Sequence, residues 1–148
     1  MAPRWLTRSA FVVALAALGV ATYLTIARYA SPDVLICSSS GVVNCAKVTT
    51  SAQSKFLGIP VAVLGVIWSL AAVALCSPWA WRSRSGILTL ARLVLVGGGV
   101  AFILWLLYAE LFVIRAICLW CTAMHLLVFV LFALVVFAAA TPAPEASR

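Results

Sequence analysis

Residues Ile117 to Ala140 read ICLWCTAMHLLVFVLFALVVFAAA, and this stretch decides the fold class of the chain. It is long enough for a transmembrane helix, which needs roughly 20 mostly apolar residues. Two thiols, Cys118 and Cys121, lie one helical turn apart at the mouth of this apolar segment. A thiol pair at the edge of a membrane can exchange electrons with water-soluble thiols on one side and with a lipid-dissolved oxidant on the other. The stretch therefore predicts membrane redox chemistry.

The composition of the whole chain supports a membrane location. The 148 residues are 66% hydrophobic and 9% charged, and the mean hydropathy is +1.22, far from the composition of a soluble globular domain. Four stretches meet the length criterion for a transmembrane helix. The sequence predicts an all-α membrane protein, a single domain over residues 1–148 that forms a four-transmembrane-helix bundle with one cysteine-bearing extracytoplasmic loop. The predicted helices cover about residues 9–27, 56–76, 87–108 and 117–140.

The first stretch follows Arg4 and Arg8, so it must be weighed against a signal peptide. We expect a retained helix, because Ala10–Ile26 is long for the apolar part of a signal peptide and no small-x-small cleavage site precedes Arg28. At the other end, the proline-containing segment Thr141–Arg148 is predicted to be a short disordered end.

The net charge of +7 does not indicate nucleic-acid binding, because the basic residues are scattered around the helix ends rather than clustered on one face. Their distribution instead predicts an orientation with both termini in the cytoplasm. Six basic residues then lie inside and four outside, a modest positive-inside bias that the short second loop strengthens. The inside set is Arg4, Arg8, Arg82, Arg84, Arg92 and Arg148, and the outside set is Arg28, Lys47, Lys55 and Arg115.

This orientation makes residues 29–55 the one sizeable extracytoplasmic loop. An even number of crossings separates the loop from the start of the fourth helix, so Cys37 and Cys45 are expected on the same face as Cys118 and Cys121. The loop is polar and serine-rich, with little apolar material for a core of its own, and it is predicted to be mobile.

The two cysteine pairs suit different tasks. A thiolate at a helix amino terminus is favoured by unpaired backbone donors and by the helix dipole, so the Cys118/Cys121 pair is expected to open and close readily. A flexible loop pair, Cys37 and Cys45, can swing between an external protein and the membrane site and pass electrons through mixed disulfides.

Three other interpretations compete with redox exchange. Zinc sites usually pair two short knuckles, and the wide loop spacing lacks one of them. Two static disulfides could brace an extracytoplasmic surface. A channel or transporter needs polar groups at mid-bilayer, and the predicted spans offer almost none. The fifth cysteine, Cys76, ends the second helix about 30 Å away across the hydrocarbon and is expected to be a small buried apolar residue.

His125 is the only histidine of the chain and lies four residues after Cys121, on the same helix face and one turn deeper. An imidazole without a partner is unfavourable in hydrocarbon, so His125 is a candidate to hydrogen-bond a ligand carbonyl; the alternative is a histidine satisfied by a neighbouring helix. Trp68, Trp105 and Trp120 line an aromatic pocket or mark the membrane interfaces, which is the default for tryptophan.

Taken together, these motifs resemble a bacterial member of the vitamin K epoxide reductase family, in a stand-alone form without a fused thioredoxin-like domain. The resemblance spans all four predicted helices, and its joint pattern is far more specific than any one part. It rests on Cys37-x7-Cys45, Ser51 six residues after Cys45, Gly58-Ile59-Pro60 before the second helix, and Cys118-Leu119-Trp120-Cys121 with His125.

The resemblance implies a bundle around a quinone, which could be menaquinone, ubiquinone or a vitamin K-like quinone. By position, Cys37 would accept electrons from a separate thioredoxin-like partner and Cys45 would exchange with Cys118. Cys121 would act directly on the quinone. The candidate quinone-binding residues are His125, Ser51 and Trp120, and no metal site is expected.

The resemblance also implies a membrane thiol:quinone oxidoreductase that supports disulfide bond formation outside the bacterial cytoplasmic membrane. Vertebrate relatives have a tyrosine at the position of His125 and an asparagine that contacts the quinone from the second helix. The start of this helix here has Val61 nearby and no asparagine, which favours simple quinone reduction over epoxide reduction. The alternative from another class is a non-enzymatic, disulfide-braced four-helix membrane interaction protein.

Overall fold

The computed structural model describes residues 2–31, 34–37, 41–83 and 85–141. These residues are mostly helical. In chain order the elements are α1 (Arg4–Tyr29), α2 (Cys45–Thr50), a 3₁₀ helix (Ala52–Ser54), β1 (Lys55–Phe56), β2 (Ile59–Pro60), α3 (Val61–Cys76), α4 (Pro78–Arg82), α5 (Gly86–Tyr108), a π-helix (Ala109–Ile114) and α6 (Leu119–Ala140).

Three of these helices are long and apolar enough to cross a membrane: α1, α5 together with the π-helix, and α6. The fourth, α3, is apolar but has 16 residues. At 1.5 Å per residue it is about 24 Å long, shorter than the hydrocarbon core of a typical bilayer. The prediction of a helical membrane protein is confirmed, whereas length and composition qualify three of the four predicted spans.

The second predicted helix was wrong at its start, because a tight hairpin occupies the first five of its residues. In this hairpin β1 pairs with β2 in antiparallel register, Lys55 with Pro60 and Phe56 with Ile59. The two turn residues, Leu57 and Gly58, have φ values of 52° and 84°, as a two-residue turn between twisted strands requires. Helix α3 therefore begins at Val61, directly after a proline that ends the hairpin.

The other helix ends also differ from the predicted ones. Helix α1 is longer than predicted at both ends, and α5 continues beyond residue 108 as the π-helix. Helix α6 begins at Leu119 rather than Ile117, because the backbone of Ile117 pairs with the loop and Cys118 is the N-cap residue.

The four long helices pack as a bundle in which α1 and α5 each contact both α3 and α6. The buried face of α1 is made largely of alanines spaced three or four residues apart, which allows a close approach between helices. Because α1 forms a large share of the bundle interior, it is an integral part of the fold. Its buried residues are Leu6, Ala10, Ala14, Ala17, Ala21, Leu24 and Ala27.

A buried arginine closes the end of the bundle where α3, α4 and α5 meet. Arg92 is 2% exposed; its Nε donates to the carbonyl of Leu75 at 2.7 Å and its Nη2 to that of Ala80 at 2.8 Å. Its guanidinium also lies 3.9 Å from the ring centre of Trp81. These bonds satisfy carbonyls at the end of α3 and in α4, where helical partners are missing. Cys76 is buried at this same end.

At the opposite end, the long loop after α1 packs on the bundle. Leu35, Cys45 and Val48 from the loop are buried together with Ala27 of α1 and Ala116 before α6. The loop thus shares a core with the bundle, in agreement with the expectation that it has none of its own. The predicted disordered end lies outside the described residues from position 142 onward.

Candidate functional site

Four of the five cysteines lie in one cluster at the loop end of the bundle. Cys45 and Cys118 are buried within this cluster, and Cys37 and Cys121 are partly buried against it. Cys37 and Cys45 form a disulfide, whereas Cys118 and Cys121 are free thiols. The structure thus brings together the four residues that the sequence selected as redox candidates.

Backbone pairing holds the loop cysteine next to the helix cysteine. Val43 forms a parallel bridge with Ile117: the Asn44 N–H donates to the Ile117 carbonyl at 3.0 Å, and the Ile117 N–H donates to the Val42 carbonyl at 2.8 Å. Cys45 and Cys118 are the residues that immediately follow these two paired segments. The bridge therefore helps to bring the two cysteines into the same buried cluster.

Two aromatic side chains hold the other part of the loop. The Tyr23 hydroxyl donates to the Val34 carbonyl at 2.8 Å and accepts from the Ile36 N–H at 3.2 Å. The Trp120 indole N–H donates to the Ile36 carbonyl at 3.3 Å, and its ring meets that of Tyr23 edge to face, with centroids 4.7 Å apart. We call these two residues the loop clamp. No sequence pattern pointed to Tyr23, because its partners are backbone groups of the loop.

Cys118 is the N-cap residue of α6, and its sulfur accepts the backbone N–H of Cys121 at 3.3 Å. The Cys121 thiol also hydrogen-bonds the Cys118 sulfur, and this bond is the main cause that lowers the pKa of Cys118, with the backbone N–H bond adding to it. Cys118 precedes the membrane-spanning part of α6 and is fully buried. Hydrogen bonds to its charged form therefore favour a thiolate at this position.

A cavity of about 640 Å³ lies between α1, α3, α5 and α6, below the hairpin. Its size is that of a small-molecule site, and its wall is predominantly apolar with a few polar groups. The apolar wall includes Leu64, Trp68, Phe102, Ile103, Met124 and Val128, and the polar wall includes Arg28, Thr49, Ser51, Gln53, Ser54, Glu110, Cys121 and His125.

Two of the three residues predicted to bind a ligand line this cavity. His125 is 3% exposed, and its Nδ1 is buried without a hydrogen-bond partner among the described residues. Ser51 lies at the loop side of the cavity and donates its hydroxyl to the Val48 carbonyl at 2.7 Å. The third, Trp120, belongs to the loop clamp and does not line the cavity. An orphaned ring nitrogen on the wall suits a ligand with a polar atom at that depth.

The two other tryptophans that were considered for an aromatic pocket differ in position. Trp68 lines the cavity, and its indole N–H donates to the Leu95 carbonyl at 3.0 Å. Its ring lies so close to Gly99 that a β-carbon there would be 2.9 Å from it. Trp105 lies outside the cavity wall, where its ring contacts those of Phe56 and Phe102.

Glu110 is the site residue that sequence reasoning missed. It lies in the π-helix, is 5% exposed and lines the cavity. It shares this cavity wall with Cys121. The available signal was an ionisable residue within an apolar stretch, which is a functional candidate by default. It was overlooked because the third predicted helix ended at Tyr108. Within the described ranges, no set of three or more His, Cys, Asp or Glu side chains could hold a metal ion.

The helical bundle, the apolar cavity and the cysteine pairs that can form disulfides belong together. They define a helical membrane protein with a dithiol site. The sequence matches the family model for the vitamin K epoxide reductase family over residues 9–136. The chain therefore belongs to this family, as the cysteine and histidine motifs predicted. It is a family of oxidoreductases that generally use a quinone.

Proposed function

We propose that this protein is a membrane thiol:quinone oxidoreductase that takes electrons from a separate thioredoxin-like protein and delivers them to a quinone. In the overall reaction, a partner dithiol and a quinone give a partner disulfide and a quinol. The observation that carries the proposal is that the two cysteines of one motif have different surroundings. Cys118 is buried in the cluster with Cys45 and does not line the cavity, whereas Cys121 does.

The proposed path has four exchanges, each an attack of a thiolate on a disulfide. A partner thiolate attacks Cys37 and releases Cys45, which attacks Cys118 and releases Cys121 at the cavity. The second partner thiol then frees Cys37, which closes the loop disulfide again and leaves Cys118 and Cys121 reduced. The partial exposure of Cys37 and the burial of Cys45 beside Cys118 support this order.

The cavity supports a quinone as the electron acceptor. A quinone ring is flat and apolar with two carbonyl oxygens, and the cavity offers an apolar wall and the unpartnered His125 Nδ1. When bound, the quinone supplies a two-electron sink for the Cys118/Cys121 dithiol. His125 would orient a carbonyl group, and Ser51 would help to hold the loop side of the site. Menaquinone, ubiquinone and vitamin K-like quinones all share this chemistry.

We further propose that α3 is the fourth membrane span and that both termini are cytoplasmic. Although α3 is short, it packs side by side with α1 and α5 and is apolar apart from Ser69. The hairpin before it and α4 after it add length at either end. In this orientation, the four clustered cysteines face the outside of a bacterial cytoplasmic membrane. Disulfide exchange belongs to that oxidising side.

The test is quinone-dependent oxidation of a dithiol by the purified protein. Short-chain ubiquinone and menaquinone serve as acceptors, dithiothreitol or a reduced thioredoxin-like protein as donor, and quinone absorbance reports turnover. Cys118→Ala and Cys121→Ala are each expected to abolish the reaction. Cys76→Ala is the matched control, because that thiol is buried at the other end of the bundle.

Replacement of a loop cysteine distinguishes the role of the loop pair, which passes electrons on from the donor, from the role of the helix pair, which reacts with the quinone. Cys37→Ala is expected to lose turnover with the protein donor and to keep some with dithiothreitol, which can reach the helix pair directly. Equal loss with both donors would mean that the loop disulfide only braces the fold. Absence of quinone-coupled oxidation in the parent protein would instead favour the disulfide-braced interaction protein.

A further inference from the structure

The buried carboxyl group of Glu110 has no part in the path described so far. Of the three acidic residues in the chain, it is the one inside the described ranges. It is 5% exposed and lines the same cavity wall as Cys121. An ionisable side chain at such a depth is unfavourable and, in membrane proteins, commonly serves proton movement.

The local backbone gives this carboxyl group its position. Residues 109–114 form a π-helix, which is rare and often found at functional sites. The turn ends at Arg115, whose φ of 53° is left-handed, and the Ala116 N–H donates to the Glu110 carbonyl oxygen at 3.2 Å. This bond joins the backbone of Glu110 to the segment that leads into Cys118. The carboxyl group and the thiol pair are therefore carried by directly connected parts of the backbone.

We propose that Glu110 is the acid–base group of the site, which takes the thiol proton of Cys121 and passes it toward the quinone oxygen. This inference rests on the proposed function and adds to it a residue that handles protons. Quinone reduction needs two protons as well as two electrons, and the cavity wall is otherwise largely apolar. A carboxyl group on the cavity wall that Cys121 also lines supplies the missing proton route.

The step balances without a further reactant. Two electrons leave the sulfurs of Cys118 and Cys121 as their disulfide forms, and both reach the quinone. One quinone oxygen receives the Cys121 thiol proton through the Glu110 carboxylate, and the other receives the proton that the Cys118 thiol releases when it ionises. Glu110 is protonated when it accepts the proton and returns to the carboxylate when it releases it, so the protein ends with one disulfide and the product is quinol.

Other titratable groups face the same space. Cys121 and His125 of α6 line the cavity, and Arg28 of α1 is the basic side chain on the described cavity wall. Cys118 is bonded to the backbone of Cys121 but lies outside the cavity wall. In α2, which packs against the π-helix, Lys47 is exposed and Cys45 is in a disulfide. Cys118 can be removed by substitution, so its effect on Cys121 is separable from that of Glu110.

The experiment measures Cys121 alone, without quinone. In a variant with Cys37, Cys45, Cys76 and Cys118 all replaced by Ala, the rate of alkylation by N-ethylmaleimide is followed against pH by mass spectrometry. A proton shared between carboxyl and thiol gives a two-step profile, because the pair titrates as a unit. Glu110→Gln in the same background is expected to give a single step.

The matched control is Glu145→Gln, the same chemical change in the tail, which is expected to keep the two-step profile. A single step with one midpoint in both the parent and Glu110→Gln proteins would overturn the proposal. A single step in both with different midpoints would also overturn it, since that result shows only the electric field of a carboxylate. Unfolding of the Gln variant is checked by repeating the profile with Glu110→Asp, which is expected to restore two steps.

Turnover of the otherwise unaltered protein provides a second readout. Loss of a general acid–base group slows reactions by roughly 10²- to 10⁴-fold, so Glu110→Gln is expected to lower kcat in that range with little change in the quinone KM. If the parent protein fails to reduce quinone, the proposed function fails, yet the alkylation profile still decides whether Glu110 and Cys121 share a proton.

Discussion

His125 has a ring nitrogen on the cavity wall, Nδ1, that is buried and has no hydrogen-bond partner in the part of the chain that the structure describes. If it donates to a quinone carbonyl, the bond contributes on the order of 1 kcal/mol, and more if the acceptor gains charge. His125→Ala is then expected to raise the quinone KM or to slow turnover several-fold. His125→Tyr, which keeps a donor, should retain activity. Steady-state kinetics with varied quinone would check this, and unchanged kinetics in the alanine variant would assign His125 a structural role.

The thiolate of Cys118 gives a pH prediction. Its pKa is lowered mainly by the hydrogen bond from the Cys121 thiol, so the thiolate persists to lower pH than for an ordinary cysteine. Cys121→Ala removes that bond and is expected to move the titration of Cys118 to higher pH. The ultraviolet absorbance of the thiolate would be followed in protein that lacks Cys37, Cys45 and Cys76, with the further Cys118→Ala variant as the blank. A shift to lower pH would contradict this account.

The residue types of the site were easier to predict from the sequence than the contacts between residues that are distant along the chain. The motif Cys118-Leu119-Trp120-Cys121 and the spacing to His125 are local, so the sequence alone placed them on one helix face. Glu110 was not predicted, because its approach to Cys121 depends on a π-helix that shifts the register of the chain. The contact of Trp120 with Ile36 joins residues far apart in sequence, and spacing carries no information about it.

The contact between α3 and α5 limits the width of the cavity at the element scale. A β-carbon at Gly99 would lie 2.9 Å from the Trp68 ring, whereas one at Gly97 would meet nothing within 4 Å. Gly99→Val is therefore expected to displace Trp68 and to destabilise the protein by about 1–3 kcal/mol, the usual cost of overpacking. Gly97→Val, the same change two residues earlier, should be close to neutral. Thermal unfolding in detergent would compare the two, and equal loss would contradict the proposed contact.

The pairing of the loop with the start of α6 makes a second prediction at this scale. If Cys45 attacks Cys118, then Cys121→Ala leaves Cys118 no other partner in the site, and a Cys45–Cys118 bond should accumulate. The bridge between Val43 and Ile117 favours this product, since it already holds both cysteines in one cluster. Proteolysis between the two regions and non-reducing mass spectrometry would detect it. A Cys37–Cys45 bond with free Cys118 would refute the order of transfer.

The boundaries of the long helices were predicted less well than their number. Apolar runs located all four long helices, because hydrophobicity is read directly from composition. The hairpin at residues 55–60 was taken for helix, since Phe56 and Ile59 are as apolar as the helix that follows. Its turn depends on a leucine with positive φ, Leu57, which is not a residue type that marks such a turn.

For the whole molecule, the proposed orientation predicts which ends are reachable from outside the cell. In a background without native cysteines, Lys47→Cys would lie on the outer side with the loop, and Ser83→Cys would lie between α4 and α5 on the inner side; both native residues are exposed. A membrane-impermeant maleimide should label the first in intact cells and the second only after permeabilisation. The reverse pattern would invert the assigned topology.

The burial of Cys118 between the loop and the cavity keeps the electron donor apart from the electron acceptor. Of the two thiols in the motif, Cys121 lines the cavity proposed for the quinone, whereas Cys118 is fully buried in the cluster with the loop residues. A protein thiol outside the membrane therefore has no direct contact with the proposed acceptor and must pass its electrons through Cys37, whereas a small thiol such as dithiothreitol can reach the helix pair. For protein thiols, the structure rather than a difference in reduction potential limits direct reaction with the quinone. The surfaces that contact the donor and the acceptor can therefore vary independently while the exchange between the cysteines stays the same.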